Sequence, residues 1–80
     1  MSFSIPTDAA ALTDLVDGIN ARRPAPGATD TALIEHYSHA ANALYLLACD
    51  LPKDDNTTAI AIALADIYVG TADLIEEASR

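Results

Sequence analysis

The chain has 80 residues, with twelve acids against four bases and a formal net charge of -8. That length makes one domain. The charge argues against nucleic acid and anionic membrane as direct partners, because holding phosphates takes Lys and Arg. A single cysteine, Cys49, excludes an intrachain disulfide and points away from a disulfide-built secreted scaffold.

A chain this short buries only about 60–65% of its unfolded surface, and small natural domains usually add a disulfide, a metal or a partner. Oligomerisation is therefore the expected support. The opening Met1-Ser2-Phe3-Ser4 has neither the basic start nor the apolar run of a signal peptide. No uninterrupted apolar run approaches the ~18 residues of a span. A cytoplasmic protein with no membrane partner is expected.

The first helix is expected over about residues 5–21. Ser4 or Thr7 is placed to cap it, with Pro6 tolerated at its start and Asp8 in its first turn. Leu12, Leu15, Val16 and Ile19 share one face, while Thr13, Asp14, Asp17 and Asn20 share the other. Gly18 weakens the helix near its end. Residues 22–29, Arg22-Arg23-Pro24-Ala25-Pro26-Gly27-Ala28-Thr29, stop it and read as an extended connector.

The second helix is expected over about residues 30–51, capped by Thr29 or Asp30 and ended by Pro52. Leu33, Tyr37, Ala40, Leu44, Leu47 and Leu51 recur at alternating spacings of four and three. Ile34, Ala41, Tyr45 and Ala48 widen that seam. Lys53-Asp54-Asp55-Asn56 then makes a polar turn that supplies the next cap.

The third helix is expected over about residues 56–78. Its run Ala59-Ile60-Ala61-Ile62-Ala63-Leu64-Ala65 leaves no wet side, and a helix apolar all round must be covered. The predicted seam is Ile60, Leu64, Ile67, Thr71, Leu74 and Ala78, extended by Ile62, Ala65, Tyr68, Val69 and Ile75. Asp66, Asp73 and Glu77 mark a narrow wet edge. Alanine at every second place, and three-four spacing over about 22 residues, favour helix over strand.

The fold class is thus all-α: a short N-terminal helix and a long antiparallel hairpin. Seventeen alanines suit close helix packing, and Ala41 with Ala48, and Ala63 with Gly70, lie a heptad apart. The short first helix cannot cover the hairpin, so apolar surface is left over. A homodimeric bundle is expected, with Leu33, Tyr37, Leu44, Leu46, Leu47, Ile60, Ile62, Leu64, Ile67 and Tyr68 at its interface.

Chemistry-bearing residues are few. Arg22, Arg23, Lys53 and Arg80 each follow or close a helical segment, where cations suit the macrodipole. Glu35, His36 and His39 form the one cluster of metal-ligand types, but His-Glu-x-x-His and Glu-x-x-His patterns are absent. They are weak metal candidates, and no cofactor is expected. Cys49 lies ten residues, ~15 Å, along the helix from His39, too far for a nucleophile–base pair, and reads as a small apolar filler. Asp50, Asp54 and Asp55 lack the glycine and final carboxylate of a calcium loop.

Over residues 30–78 the pattern resembles small acidic helical-hairpin proteins of bacteria and their phages, a likeness that carries no functional residues across. Secreted bacterial hairpins with a Trp-x-Gly turn fit poorly, since the chain has no tryptophan. The expected function is non-enzymatic: regulatory or adaptor work through an unidentified protein partner, as a homo-oligomer. The rival readings are sequestration of a small ligand such as a nucleotide at the oligomer interface, as in phage anti-defence proteins, and acidic mimicry of nucleic acid.

Overall fold

The structure, a computed structural model, describes residues 7–80, with no side-chain detail for Thr7 and Asp8. Three helices follow one another: α1 (Thr7–Ala21), α2 (Asp30–Asp50) and α3 (Asn56–Ala78), and there is no strand among the described residues. The candidate cap Ser4, Pro6 and the expected helix start near residue 5 lie outside the described residues.

Local chemistry sets the ends of the hairpin. The Thr29 hydroxyl accepts from the Ala32 backbone N–H at 3.2 Å and caps α2. Leu51 leaves α2 in extended backbone, as the residue before a proline prefers. Asp55 caps α3, its Oδ1 accepting from Thr57 N–H at 2.9 Å, and the Thr58 hydroxyl donates to the Pro52 carbonyl at 2.6 Å. At the far end Ser79 donates to Asp30 Oδ2 at 2.8 Å. These bonds hold α2 and α3 antiparallel in a single register.

The connector is not simply extended, as expected from its prolines. Ala28 N–H donates to the Ala25 carbonyl at 3.0 Å, and Gly27 has φ 86°. Pro26 and Gly27 thus occupy the central positions of a type II turn, where φ above zero requires glycine. Before it, Arg22 folds back so that its Nε donates to the Gly18 carbonyl at 3.2 Å. That contact places a cation on the exposed carbonyl end of α1. A Cβ at residue 18 would meet the guanidinium at 3.2 Å, so the glycine leaves room for it.

The core is lined by small residues. Its buried apolar members are Leu12 and Ile19 from α1, Ala40, Ala41, Leu44 and Ala48 from α2, and Ala61, Ala65 and Ala72 from α3. Among the described residues, Leu44 is the largest side chain to be fully enclosed. Leu15, Val16, Tyr45, Leu47, Leu64 and Tyr68 pack against this core while half exposed. The Tyr37 and Tyr68 rings stack across the hairpin with centroids 5.7 Å apart.

The packed face of α3 differs from the expected seam. Thr57, Thr58, Ala61, Ala65 and Ala72 are the buried positions, and Ile60, Ile67 and Leu74 point outward. The turn explains the rotation. The Asp55 cap and the Thr58–Pro52 bond bury Thr57 and Thr58, and residues 61, 65 and 72 follow on that face at helical spacing. Ala61 and Ala65 pack in one cluster with Ala41 and Ala48, and side chains this small suit closely packed helices. On α2, Ala40 and Leu44 of the expected seam are buried, while Leu33, Tyr37, Leu47 and Leu51 are half-buried at its margins. The stretch from Ala59 to Ala65 is therefore not covered all round by its own chain.

Because Leu44 is fully enclosed, Leu44→Ala is expected to cost about 3 kcal/mol. A urea titration followed by circular dichroism checks this. A loss of a few tenths of a kcal/mol would contradict the packing described.

Candidate interaction surface

At 100° per residue, Ile60, Ile67 and Leu74 lie roughly 140° around the axis from Ala61, Ala65 and Ala72. They are 51%, 61% and 68% exposed. Ala63 and Gly70 fall between them, both exposed, and nothing lies within 4 Å of where a Cβ on Gly70 would stand. Positions 60, 63, 67, 70 and 74 thus form a second three-four seam on α3. It faces away from α2.

This seam has two unlike edges. One carries Asp66 and Asp73, both exposed, and the exposed Glu77 closes the seam one heptad beyond Gly70; the other carries Leu64, Thr71 and Ala78. Asp66 is tied to the neighbouring helix, since its Oδ1 accepts from the Tyr45 hydroxyl. That hydrogen bond first, then partial desolvation, then the Asp66 charge, holds the Tyr45 phenol above its ordinary range. Ile62 and Val69 add two more exposed apolar side chains beyond the acidic edge, and Leu46 is 59% exposed on α2.

The expected interface residues separate into three groups. Ile60, Ile67, Ile62 and Leu46 are exposed. Leu33, Tyr37, Leu47, Leu64 and Tyr68 are half-buried within the chain. Leu44 is spent in the core and offers no surface. Leu74 and Gly70 belong to the outer face and were absent from the expected set, although their spacing from Ile60 and Ala63 was visible.

The metal-type cluster lies elsewhere. Glu35, His36 and His39 line a half-open cavity of about 340 Å³ between the end of α1, the connector and α2, with Arg22, Leu15 and Ile19 across from them. The His36 ring sits edge-on to Tyr37, with centroids 5.2 Å apart. Among the described residues, no group of three or more His, Cys, Asp or Glu side chains is arranged to hold a metal ion. Cys49 is exposed rather than a buried filler, because it lies one step around α2 from the buried Ala48.

α3 as a whole is long and apolar enough to cross a membrane, although Asp66 breaks every longer apolar run. Most of its apolar stretch is not buried within the chain. An acid at the centre of a span costs about 2.5–3.5 kcal/mol on insertion scales, and Asp66 sits near the middle of α3. Here that acid is bonded to Tyr45 of the packed hairpin.

The neutral Tyr45 phenol contributes to folding below the ordinary tyrosine range, near pH 10, and the contribution is lost as pH rises through the raised value. Tyr45→Phe is therefore expected to be less stable than the parent near neutral pH, with the gap closing at alkaline pH. Thermal midpoints of both proteins across that range test this, and a gap that stays constant contradicts it. Comparison with protein families, with characterised proteins and with solved structures finds no match for this chain.

Proposed function

We propose that this is a non-enzymatic helical module that works through protein–protein interaction, in a regulatory or adaptor role and in homo-oligomeric form. The observation that carries this reading is the outer face of α3. Ile60, Ile67 and Leu74 stay exposed, while among the described residues Leu44 is the one large side chain fully enclosed. Apolar surface concentrated in a stripe marks an interaction site more often than scattered single residues do. The dispersal of chemical groups supports the same reading, since Cys49 is on an outward face and His36 and His39 are on the cavity side. A cytoplasmic location suits the acidic exterior.

A second reading, capture of a small ligand, is favoured by the 340 Å³ cavity, whose size suits a small molecule. Its mouth mixes one guanidinium and two imidazoles with a carboxylate, so a zwitterion fits it better than a polyanion. A ligand of that kind would raise the melting temperature as its concentration exceeds its Kd.

The interaction reading is tested by placing a benzophenone amino acid at position 67, and at position 54 in the turn as control, within the full chain expressed in cells. Irradiation is expected to give protein adducts from position 67 well above those from position 54. Equal yields from the two positions would contradict it.

A further inference from the structure

We infer that the cavity between the end of α1, the connector and α2 is a binding site for a small amino acid with an aliphatic body, its carboxylate held by Arg22 and its ammonium by Glu35. It rests on the ligand reading above, names the class of ligand, and is independent of the outer face of α3. Three observations carry it.

The first is the placement of charge. The chain has four bases against twelve acids, and one of the four lines this cavity. Glu35 lines it from α2. Among the described residues neither Arg22 nor Glu35 has an ion-pair partner, so the cavity offers one unmatched cation and one unmatched anion. A ligand with one charge of each sign meets both. A plain carboxylate is drawn to Arg22 and repelled by Glu35, and a plain amine the reverse. His36 and His39, on the α2 side, add hydrogen-bonding nitrogens for either end of the ligand.

The second is how Arg22 is held. Its Nε donates to the Gly18 carbonyl at 3.2 Å, and Gly18 leaves room for the guanidinium beside the helix. Among the described residues its two terminal nitrogens have no hydrogen-bond partner. An arginine tethered at Nε keeps the paired terminal donors that a carboxylate accepts with both oxygens.

The third is size and lining. At about 340 Å³ the cavity lies near the lower end of the ~300–1,000 Å³ range of ligand sites, which suits a molecule of amino-acid size. Ile19 and Ala40 are buried and Leu15 is half-buried, whereas Arg22 and Glu35 are exposed. An aliphatic body therefore has an apolar floor, and its charged ends stay at the wet mouth.

The test titrates the ¹⁵N-labelled full chain with leucine, 6-aminohexanoate, hexanoate and hexylamine, each to about 10 mM, and follows backbone amide shifts by NMR. Leucine or 6-aminohexanoate is expected to give saturable shifts at Ile19, Arg22, His36 and Ala40. Hexanoate and hexylamine are expected to bind there about fivefold more weakly, or less. Whichever zwitterion binds more tightly sets the spacing of the ligand's charges. Glu35→Gln changes an exposed side chain and should stay folded. It is expected to weaken zwitterion binding about fivefold and to leave hexanoate unchanged or tighter. Arg22→Gln is expected to weaken both. Should loss of the Nε bond loosen α1 in that variant, Glu35→Gln still decides the matter.

Hexanoate binding as tightly as either zwitterion, or zwitterion binding unmoved by Glu35→Gln, overturns the amino-acid assignment and preserves the ligand reading. Saturable shifts confined to α3 overturn the site. Silence from all four probes removes the inference and the ligand reading together, and leaves the interaction reading to its own test at position 67.

Discussion

The close approach of α2 and α3 is the constraint on which the rest of the molecule depends. It is made possible by alanines on both sides, Ala41 and Ala48 packed in one cluster with Ala61 and Ala65. It is held in place by the turn, where Asp55 caps α3 and Thr58 reaches the Pro52 carbonyl. Those contacts fix not only where α3 begins but which way it is turned. Once Thr57 and Thr58 are tucked under the turn, the 3.6-residue period carries the alanines inward and the isoleucines outward.

That choice has an energetic consequence. Each buried alanine methyl contributes about 0.8 kcal/mol, whereas a fully buried Ile or Leu contributes about 1.5–3 kcal/mol. The hairpin therefore gains precise backbone approach and forgoes much of the apolar burial its sequence offers. Leu44 and the α1 residues Leu12 and Ile19 supply the larger contacts. The unused capacity sits on the opposite side of α3, where Ile60, Ile67 and Leu74 surround the small residues Ala63 and Gly70. Tyr45, bonded across to Asp66, ties the acidic edge of that face to α2, so the surface is carried on a braced helix rather than a loose one.

Much of this architecture was legible in the sequence because the chain is punctuated by residues with narrow conformational uses. Thr29, Pro52 and Asp55 mark helix ends by capping chemistry, and the helices fall where these place them. Pro26 and Gly27 already stood in the order a type II turn demands, although the connector reads at first as merely extended. The rotation of α3 was not legible. Residues 60, 67 and 74 and residues 61, 65 and 72 both satisfy helical spacing, and hydrophobicity alone favours the bulkier set. Which set faces α2 is decided by the turn and by the alanines opposite, and both require the tertiary register. The same holds for the Tyr45–Asp66 bond, between residues 21 apart, and for Cys49, whose exposure depends on which side of Ala48 is buried. The outer seam could have been read as a second repeat, since Ile60, Ile67 and Leu74 are spaced by seven.

The central claim is that α3 carries more apolar face than its own chain can use, and that a second chain completes it. The most direct measurement is the thermal midpoint of the unmodified protein over a hundredfold range of concentration. If folding is completed by association, the midpoint rises with concentration, because mass action favours the assembled native state. A midpoint that stays constant across that range would contradict the account and leave the outer face of α3 as bare surface.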